Sequence, residues 1–335
     1  MQHAIRTSPN YLVTGATGFL GRYIVRQLHE RGETVRALVR KPEEFPDAVE
    51  VVRGDLTDRD SIFSATRNIE TVFHTAALPG ISMQWRPFYE TNVVGTQNVI
   101  AACQANGVKR LVFTGSPSVT FDGKPQENVD ESAPYPTRWL AHYPHSKAIA
   151  EQAVLNAEGL LTCSLRPHLI WGPGDRHLIP RLLDRARRGR LMRVGDGRNL
   201  IDMIYVENAA AAHLQAADAL TDEKSPVNRN AYFLSQGEPV RCWDWIDEIL
   251  KGFGLPPVKR SISFGTAWTV GVGFETVYRL FGRRGEPMMT RFLAAQLALH
   301  HYFCIDKAKR DFGYKPIIST EEGMNRLLGV FCSEK

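Results

Sequence analysis

Tyr143 and Lys147, the two ends of Tyr143-Pro144-His145-Ser146-Lys147, form the only Tyr-x-x-x-Lys spacing in this 335-residue chain. On a helix, residues four apart share a face, so an ammonium there can stabilise a phenolate. A free phenol has a pKa of about 10 and needs a cationic neighbour to act as acid or base near neutrality. Ten tyrosines make a chance match unsurprising, so the pair must be weighed with its surroundings. Ser116, in Thr114-Gly115-Ser116-Pro117-Ser118, follows a β-rich run. A hydroxyl at a strand C-terminus can donate to a substrate oxygen on which negative charge develops. Alone, a loop serine capping its own backbone is the simpler reading; with Tyr143 and Lys147 one helix later, the catalytic reading is the better one. Ser116, Ser118 and Tyr143 are the candidate substrate contacts.

A second constellation lies near the N-terminus. Thr14-Gly15-Ala16-Thr17-Gly18-Phe19-Leu20-Gly21 joins a strand-like run to a helical one. Glycines there let the backbone approach a pyrophosphate, whose charge the free N–H groups of a helix N-terminus meet. Such turns also occur without a ligand, and the spacing is Gly-x-x-Gly-x-x-Gly rather than Gly-x-Gly-x-x-Gly. Where an acidic residue would hold the adenosine ribose at the end of the next strand stands Val39, followed by Arg40 and Lys41. Two cations without an adjacent carboxylate suit a 2′-phosphate, so NADP(H) is favoured and NAD(H) is the alternative. Two solvated surface cations are the plainer reading. Asp55, in Gly54-Asp55-Leu56, is placed to reach the adenine or to close its own turn.

The elements that must position these groups are a doubly wound α/β (Rossmann) domain with a smaller C-terminal substrate lobe. Strands are expected at Tyr11–Thr14, Thr34–Val39, Glu50–Arg53, Thr71–Thr75, Arg110–Thr114, Leu161–Arg166 and Ala231–Leu234. Helices are expected at Phe19–Arg31, Asp58–Thr66, Tyr89–Asn106, Tyr143–Glu158, Leu178–Arg188 and Asn208–Leu220. Residues 1–170 with 201–234 form the dinucleotide-binding domain, and 171–200 with 235–335 the substrate lobe. Polar loops after strand C-termini, Pro117–His142 and Trp171–Asp175, border the crevice where ligands bind in such sheets. The stretch Ile262–Phe281 is apolar but carries Gly265, Gly271 and Gly273, which argue against a long regular helix. Its Phe264, Trp268, Val272, Phe274, Val277, Tyr278 and Phe281 either hold a hydrocarbon, lie on a membrane surface or pack the lobe's core.

Composition narrows the class. Hydrophobic residues are 43% and charged residues 23%, as in folded globular chains. The net charge of +5 comes from Arg181–Arg193, which holds six arginines and one aspartate. A nucleic-acid binder would spread its basic residues over a face. Arg181, Arg185 and Arg188 at helical spacing read as a solvated helix face, or as a local site for acidic ligands or lipid headgroups. Cys103, Cys163, Cys242, Cys304 and Cys332 are odd in number without a Cys-x-x-Cys pair, so free thiols, a cytoplasmic setting and no metal site are expected. The polar MQHAIRTSPN shows no leader pattern. Ile262 to Phe274, 13 residues without charge, is too short to cross a bilayer.

Together, TGATGFLG, GDLTD, His74-Thr75-Ala76-Ala77, Asn92-Val93-Val94-Gly95-Thr96, Ser116, YPHSK and RPHLIWGPGD resemble the extended short-chain dehydrogenase/reductase superfamily over nearly the whole chain. Phe113–Val119 and Phe121-Asp122-Gly123 are similar to its 3β-hydroxysteroid dehydrogenase branch. Gly285–Leu297 and Arg310–Pro316 look like the C-terminal lobe of bacterial 2-alkyl-3-oxoalkanoate reductases, with sterol-4-carboxylate 3-dehydrogenases the next likeness. The resemblance implies Tyr143 as proton donor, Lys147 on Tyr143 and the nicotinamide ribose, Ser116 on the substrate carbonyl, and Asn92 at the proton-relay end. It implies cofactor contacts at Gly15, Thr17, Gly18, Phe19, Leu20, Gly21, Arg40, Lys41, Asp55, Leu56, Ala76, Ala77, Tyr143, Lys147 and Pro167. His74 stands where many members have Asn. A homodimer through the helices bearing Asn92 and Tyr143 is implied as well. The expectation is an NADPH-dependent reductase of a hydrophobic 3-keto acid or 3-keto lipid. The alternatives are an NAD-dependent 3β-hydroxysteroid or sterol-carboxylate dehydrogenase, a nucleotide-sugar epimerase or dehydratase, and an NADP-sensing regulatory protein.

Overall fold

The computed structural model describes residues 9–333, with side chains through Gly329. The segment read for a leader falls mostly outside those residues, and the Cys332 thiol lies beyond the described side chains. The first half alternates β1 (Tyr11–Thr14), α1 (Phe19–Glu30), β2 (Val35–Val39), β3 (Val49–Arg53), α2 (Arg59–Ala65) and β4 (Thr71–His74). It continues through α3 (Trp85–Phe88), α4 (Gly95–Ala105), β5 (Arg110–Thr114), β6 (Gln126–Val129), α5 (His142–Leu155) and β7 (Leu161–Pro167). Seven parallel strands, with β12 (Asn230–Leu234) at one edge, stand in the order β12-β7-β5-β4-β1-β2-β3. The order reverses between β1 and β4, and a ligand crevice opens beyond the strand ends at that point.

Apolar side chains at helical spacing lay each helix on the sheet. Leu20, Ile24, Val25 and Leu28 bury one face of α1, which packs with α7 (Val206–Ala219) over one side. Val99, Ile100 and Cys103 of α4 and Ala150 and Val154 of α5 fill the other side. A single helix over Tyr89–Asn106 is not what forms. Tyr89–Val94 is a π-helical turn between α3 and α4, the kind of local insertion that re-aims a side chain.

The second half supplies the lobe: α6 (Leu178–Arg187), α8 (Cys242–Gly252), α9 (Phe264–Leu280) and α10 (Arg291–Ala298). These enclose a core around Trp171, Trp243, Trp245, Ile246 and Leu327. The segment Ile201–Val206 divides. β10 (Leu200–Ile201) joins β13 (Val240–Arg241) and β15 (His301–Phe303), whereas β11 (Ile204–Tyr205) pairs β8 (Ile170–Trp171). Because β15 also pairs β6, strands from four distant stretches make one small sheet beside the crevice. The helix α9 corrects the sequence expectation: its 17 residues run unbroken through all three glycines. Ser263 caps its N-terminus through Thr266 N–H at 3.1 Å. A Cβ on Gly271 would stand 2.7 Å from the backbone of Thr290 and Arg291, so this glycine permits a close helix approach whose packing outweighs its low propensity. Buried Glu275 accepts from Arg291 N–H at 2.7 Å across the same contact. No helix among the described residues is long and apolar enough to cross a membrane.

Candidate active site

The glycine turn is built for close approach. Gly15 has φ +68°, and a Cβ there would lie 2.8 Å from the backbone of Ala76. Any Cβ on Gly21 would collide with the Gly15 carbonyl. Gly18 N–H donates to Gly15 O at 2.8 Å, and α1 then starts at Phe19 with neither a capping side chain nor an acid in its first turn. Its leading N–H groups therefore face the crevice with no anion of their own, which fits a pyrophosphate. Arg22, which the sequence reading passed over, braces this turn by donating to Thr17 O at 3.2 Å and pairing with Glu43.

Val39 is buried at the end of β2, and Arg40 and Lys41 follow it exposed. Hydrogen bonds from the Thr57 N–H and hydroxyl, with the Arg40 charge as the smallest cause, hold the Asp55 carboxyl below its usual range. One Asp55 oxygen is thus engaged by its own turn, while Leu56 packs under Gly95. Ala76 and Ala77 line the exit of β4 half-buried. Pro167 ends β7 and lines the cavity described below.

His74 fits its place in a way the sequence left open. Thr96 Oγ1 donates to Asn92 O at 2.7 Å, so it accepts from His74 Nε2 at 2.9 Å, and His74 Nδ1 accepts from Thr14 Oγ1 at 2.7 Å. Burial, aided by the Lys147 charge, pushes its pKa down to about 3, so the ring is a neutral bridge. The π-helical turn delivers Asn92, whose Oδ1 accepts from Leu78 N–H at 2.7 Å. Its Nδ2 donates to Leu78 O at 3.0 Å and Ser146 Oγ at 2.9 Å. The amide thereby ties the loop after β4 to α5.

Ser116, Ser118 and Tyr143 come together. Ser116 and Ser118 hydroxyls are 2.7 Å apart, and Ser116 hydrogen-bonds the Tyr143 phenol, partly offsetting the burial that raises its pKa. Lys147 stands one turn further along α5, fully buried, but donates to the Thr114 carbonyl at 2.6 Å rather than to the phenol. Its ammonium lies 3.9 Å from the centre of the Phe113 ring. Burial lowers its pKa to about 7 against the opposing pull of Glu151. Glu151 is buried one further turn along, bonded to Arg166 at 2.7 Å, Ser164 at 2.6 Å and Tyr135 at 2.7 Å. Gly115 must be glycine here, since a Cβ would reach 2.5 Å from Ser164 Oγ and 2.7 Å from Glu151 Oε2.

Two cavities meet at this site. The inner one, about 220 Å³, is lined by Ser116, Ser118, Gln126, Tyr143, His168 and His301 among others. The outer one, about 560 Å³, is walled by Leu178, Leu182, Trp245, Ile246, Leu293 and Leu297. They share Ile81, Leu169, Gln296 and His301. The aromatic series from Phe264 to Phe281 lines neither chamber. His168 and His301 were missed because their positions on the wall depend on the β6–β15 pairing, which no local pattern announces. Among the described residues, no cluster of His, Cys, Asp or Glu could hold a metal, and Cys103, Cys163, Cys242 and Cys304 are free thiols.

Comparison with known proteins agrees with this geometry. The chain is 45% identical over 322 residues to a 2-alkyl-3-oxoalkanoate reductase of Stenotrophomonas maltophilia, covering 94% of this chain and 97% of the relative. It is 33% identical to the mouse (Mus musculus) decarboxylating sterol-4-alpha-carboxylate 3-dehydrogenase, over 95% of this chain and 90% of that one. The solved structure of MoeE5 in complex with UDP-glucose and NAD superposes with a TM-score of 0.74 at 25% identity, covering 97% and 99% of the two chains. The profile of the 3-beta hydroxysteroid dehydrogenase/isomerase family matches residues 12–264. A parallel sheet with an uncapped glycine turn, a Ser-Tyr pair on the crevice cavity and relatives named as dehydrogenases and reductases place this chain in the 3-beta hydroxysteroid dehydrogenase/isomerase family, as an NAD(P)-dependent oxidoreductase.

Proposed function

We propose that this enzyme uses NADPH to reduce a hydrophobic 3-keto acid or 3-keto lipid to its 3-hydroxy compound, with a 2-alkyl-3-keto acid as the preferred substrate. The observation that carries the reading is the joined pair of chambers: hydroxyls of Ser116 and Tyr143 in the small inner one, and in the larger outer one a floor of Leu178, Leu182, Ile246, Leu293 and Leu297 with Arg181, Asp184, Arg185 and Glu286 also on its lining. Ser116 and Tyr143 hydrogen-bond the ketone oxygen, and Tyr143 gives it a proton. A bound nicotinamide supplies the hydride. Lys147 provides the cation one turn from the phenol and anchors the nucleotide, while Asn92 fixes the loop over α5. Residues Gly15 to Gly21 cradle the pyrophosphate, and Arg40 and Lys41 take the 2′-phosphate.

Residues 1–170 with 201–234 hold the nucleotide in this reading, and 171–200 with 235–335 the substrate. A homodimer through α4 and α5 belongs to the same proposal. So does a peripheral lipid contact through Leu280 and Phe281, which are 75% and 74% exposed beside Arg279, Arg283 and Arg284. Sedimentation alone and with anionic vesicles tests both. A nucleotide-sugar reading is disfavoured by Pro117 and Ser118, where dehydratases by family resemblance place an acidic pair.

The deciding experiment measures NADPH and NADH oxidation with long-chain 2-alkyl-3-keto acids and with 3-keto steroids, in both directions. Net NADPH oxidation with the keto acids is expected. Activity confined to NADH would overturn the role of Arg40 and Lys41, and conversion without net cofactor consumption would overturn the reductase itself.

A further inference from the structure

Glu151, which the mechanism above does not use, stands on α5 one turn beyond Lys147, as Lys147 stands one turn beyond Tyr143, so the three side chains share a helix face. Glu151 and Lys147 are both buried. Arg166 of β7 donates to both Glu151 oxygens, from Nε at 3.2 and 3.0 Å and from Nη2 to Oε1 at 2.7 Å. The Tyr135 hydroxyl donates to Oε1 at 2.7 Å and the Ser164 hydroxyl to Oε2 at 2.6 Å. A guanidinium is never neutral in a protein, and one whose fork donates to both oxygens of a carboxyl holds that carboxyl ionised.

Glu151 and Lys147 meet the same peptide, Thr114–Gly115, which leads into Ser116. Its carbonyl oxygen accepts from Lys147 Nζ at 2.6 Å, and its N–H donates to Leu165 O at 2.6 Å. On the Gly115 side, a Cβ would lie 2.7 Å from Glu151 Oε2 and 2.5 Å from Ser164 Oγ. The peptide is therefore held by the ammonium at its oxygen and by the carboxylate cluster at its α-carbon. The titratable groups facing Lys147 are Tyr143 and Glu151 on its own helix and His74 of β4, which is neutral. The β5 strand offers the Phe113 ring and the Thr114 carbonyl. Arg166 of β7 and Tyr135 of the loop before α5 both turn to Glu151. Glu151 is thus the charge that opposes the burial of the ammonium.

We propose that Glu151 is a positioning residue for the reaction: it fixes the Thr114–Gly115 peptide and keeps Lys147 an ammonium, so that cation and Ser116 hydroxyl are in place before the cofactor arrives. The task of Lys147 in this proposal rests on the functional reading above. A lysine buried with no carboxylate near it sheds its proton. A carboxylate in direct contact would instead bind the ammonium as an ion pair and withhold it from the phenol and the ribose. Glu151 avoids both outcomes, because it stands one turn away and its own oxygens are engaged by Arg166, Ser164 and Tyr135.

The test is the pH dependence of kcat/KM for NADPH, at a saturating long-chain 2-alkyl-3-keto acid, in the native enzyme, Glu151→Gln and Glu151→Asp. Burial raises the Tyr143 phenol above its ordinary range, so the alkaline limb reports loss of the Lys147 proton. Without the carboxylate the ammonium is less favoured. The limb should therefore move to lower pH by about one unit in Glu151→Gln and stay within about 0.3 unit of native in Glu151→Asp. A rate lowered at every pH with the limb in place would make Glu151 merely structural and overturn the proposal. Because Glu151→Gln leaves a buried guanidinium unpaired, the double variant Glu151→Gln/Arg166→Met, which removes both charges together, is measured alongside and should show the same displacement. Nitrogen NMR of lysine-labelled enzyme follows Lys147 without turnover, its Nζ being the signal missing from Lys147→Met. A midpoint about one unit lower in either variant is expected, and an unmoved midpoint overturns the proposal. If the native enzyme reduces no ketone, the functional reading fails, and this titration still decides whether Glu151 holds the charge of Lys147.

Discussion

The two chambers that meet at Ile81, Leu169, Gln296 and His301 are made of different material. The inner one is walled by strand ends, by the start of α5 and by the small mixed sheet, and its hydroxyls and imidazoles are held by hydrogen bonds shared between elements. The outer one is a gap among side chains of α6, α8 and α10. Hydrogen-bonded groups act over tenths of an ångström, whereas burying a methylene contributes about 0.8 kcal/mol wherever it lands. Substitutions in the two chambers should therefore fail in different ways.

The sharpest way to break this contrast is Tyr143→Phe. Loss of the phenolic proton should lower kcat by about 10²–10⁴-fold, equally for short-chain and long-chain ketones. Nucleotide binding, followed by fluorescence, should change little. A near-native rate would remove Tyr143 from its role as proton donor. Leu293→Trp asks the complementary question, since Leu293 lines only the outer chamber. Filling that space should cut kcat/KM for long-chain substrates by about 10–100-fold while sparing short ones. A uniform loss along the chain-length series would mean that the outer chamber does not hold the hydrocarbon.

The contrast also explains what could be read from residue order. The glycine turn, Ser116, Tyr143 and Lys147 were legible because each sits at the end of a local strand–turn–helix unit whose geometry follows from nearby residues. The alternation that yields the seven-stranded sheet was legible for the same reason. The π-helical turn at Tyr89–Val94 was not, because it is one extra residue's worth of slack set by what Asn92 must reach. Gly271 misled on α9, because propensity counts its missing side chain as a cost whereas the backbone of Thr290 and Arg291 requires it. His168 and His301 come from separate stretches, and only tertiary pairing puts them on one wall.

The smallest expected effect concerns Lys147, whose partners in this structure are a carbonyl and an aromatic face rather than a carboxylate. Burial lowers its pKa from 10.5 to about 7. Between those values the unfolded chain binds the proton that the folded chain has released, so this group makes stability rise as pH increases from 7 toward 10.5. Below about 7 the folded protein bears the full penalty of a buried charge. Lys147→Met should therefore stabilise the unliganded enzyme at pH 7 by about 1–2 kcal/mol, and the gain should shrink toward zero near pH 10. Urea unfolding of both proteins at the two pH values measures this directly, since every other titrating group is common to the pair. A gain independent of pH would show that the ammonium bears no burial penalty and that the substitution acts through packing alone. A gain that vanishes with pH would show that the enzyme keeps an energetically costly cation one turn from Tyr143, which an apolar residue of similar length would spare it.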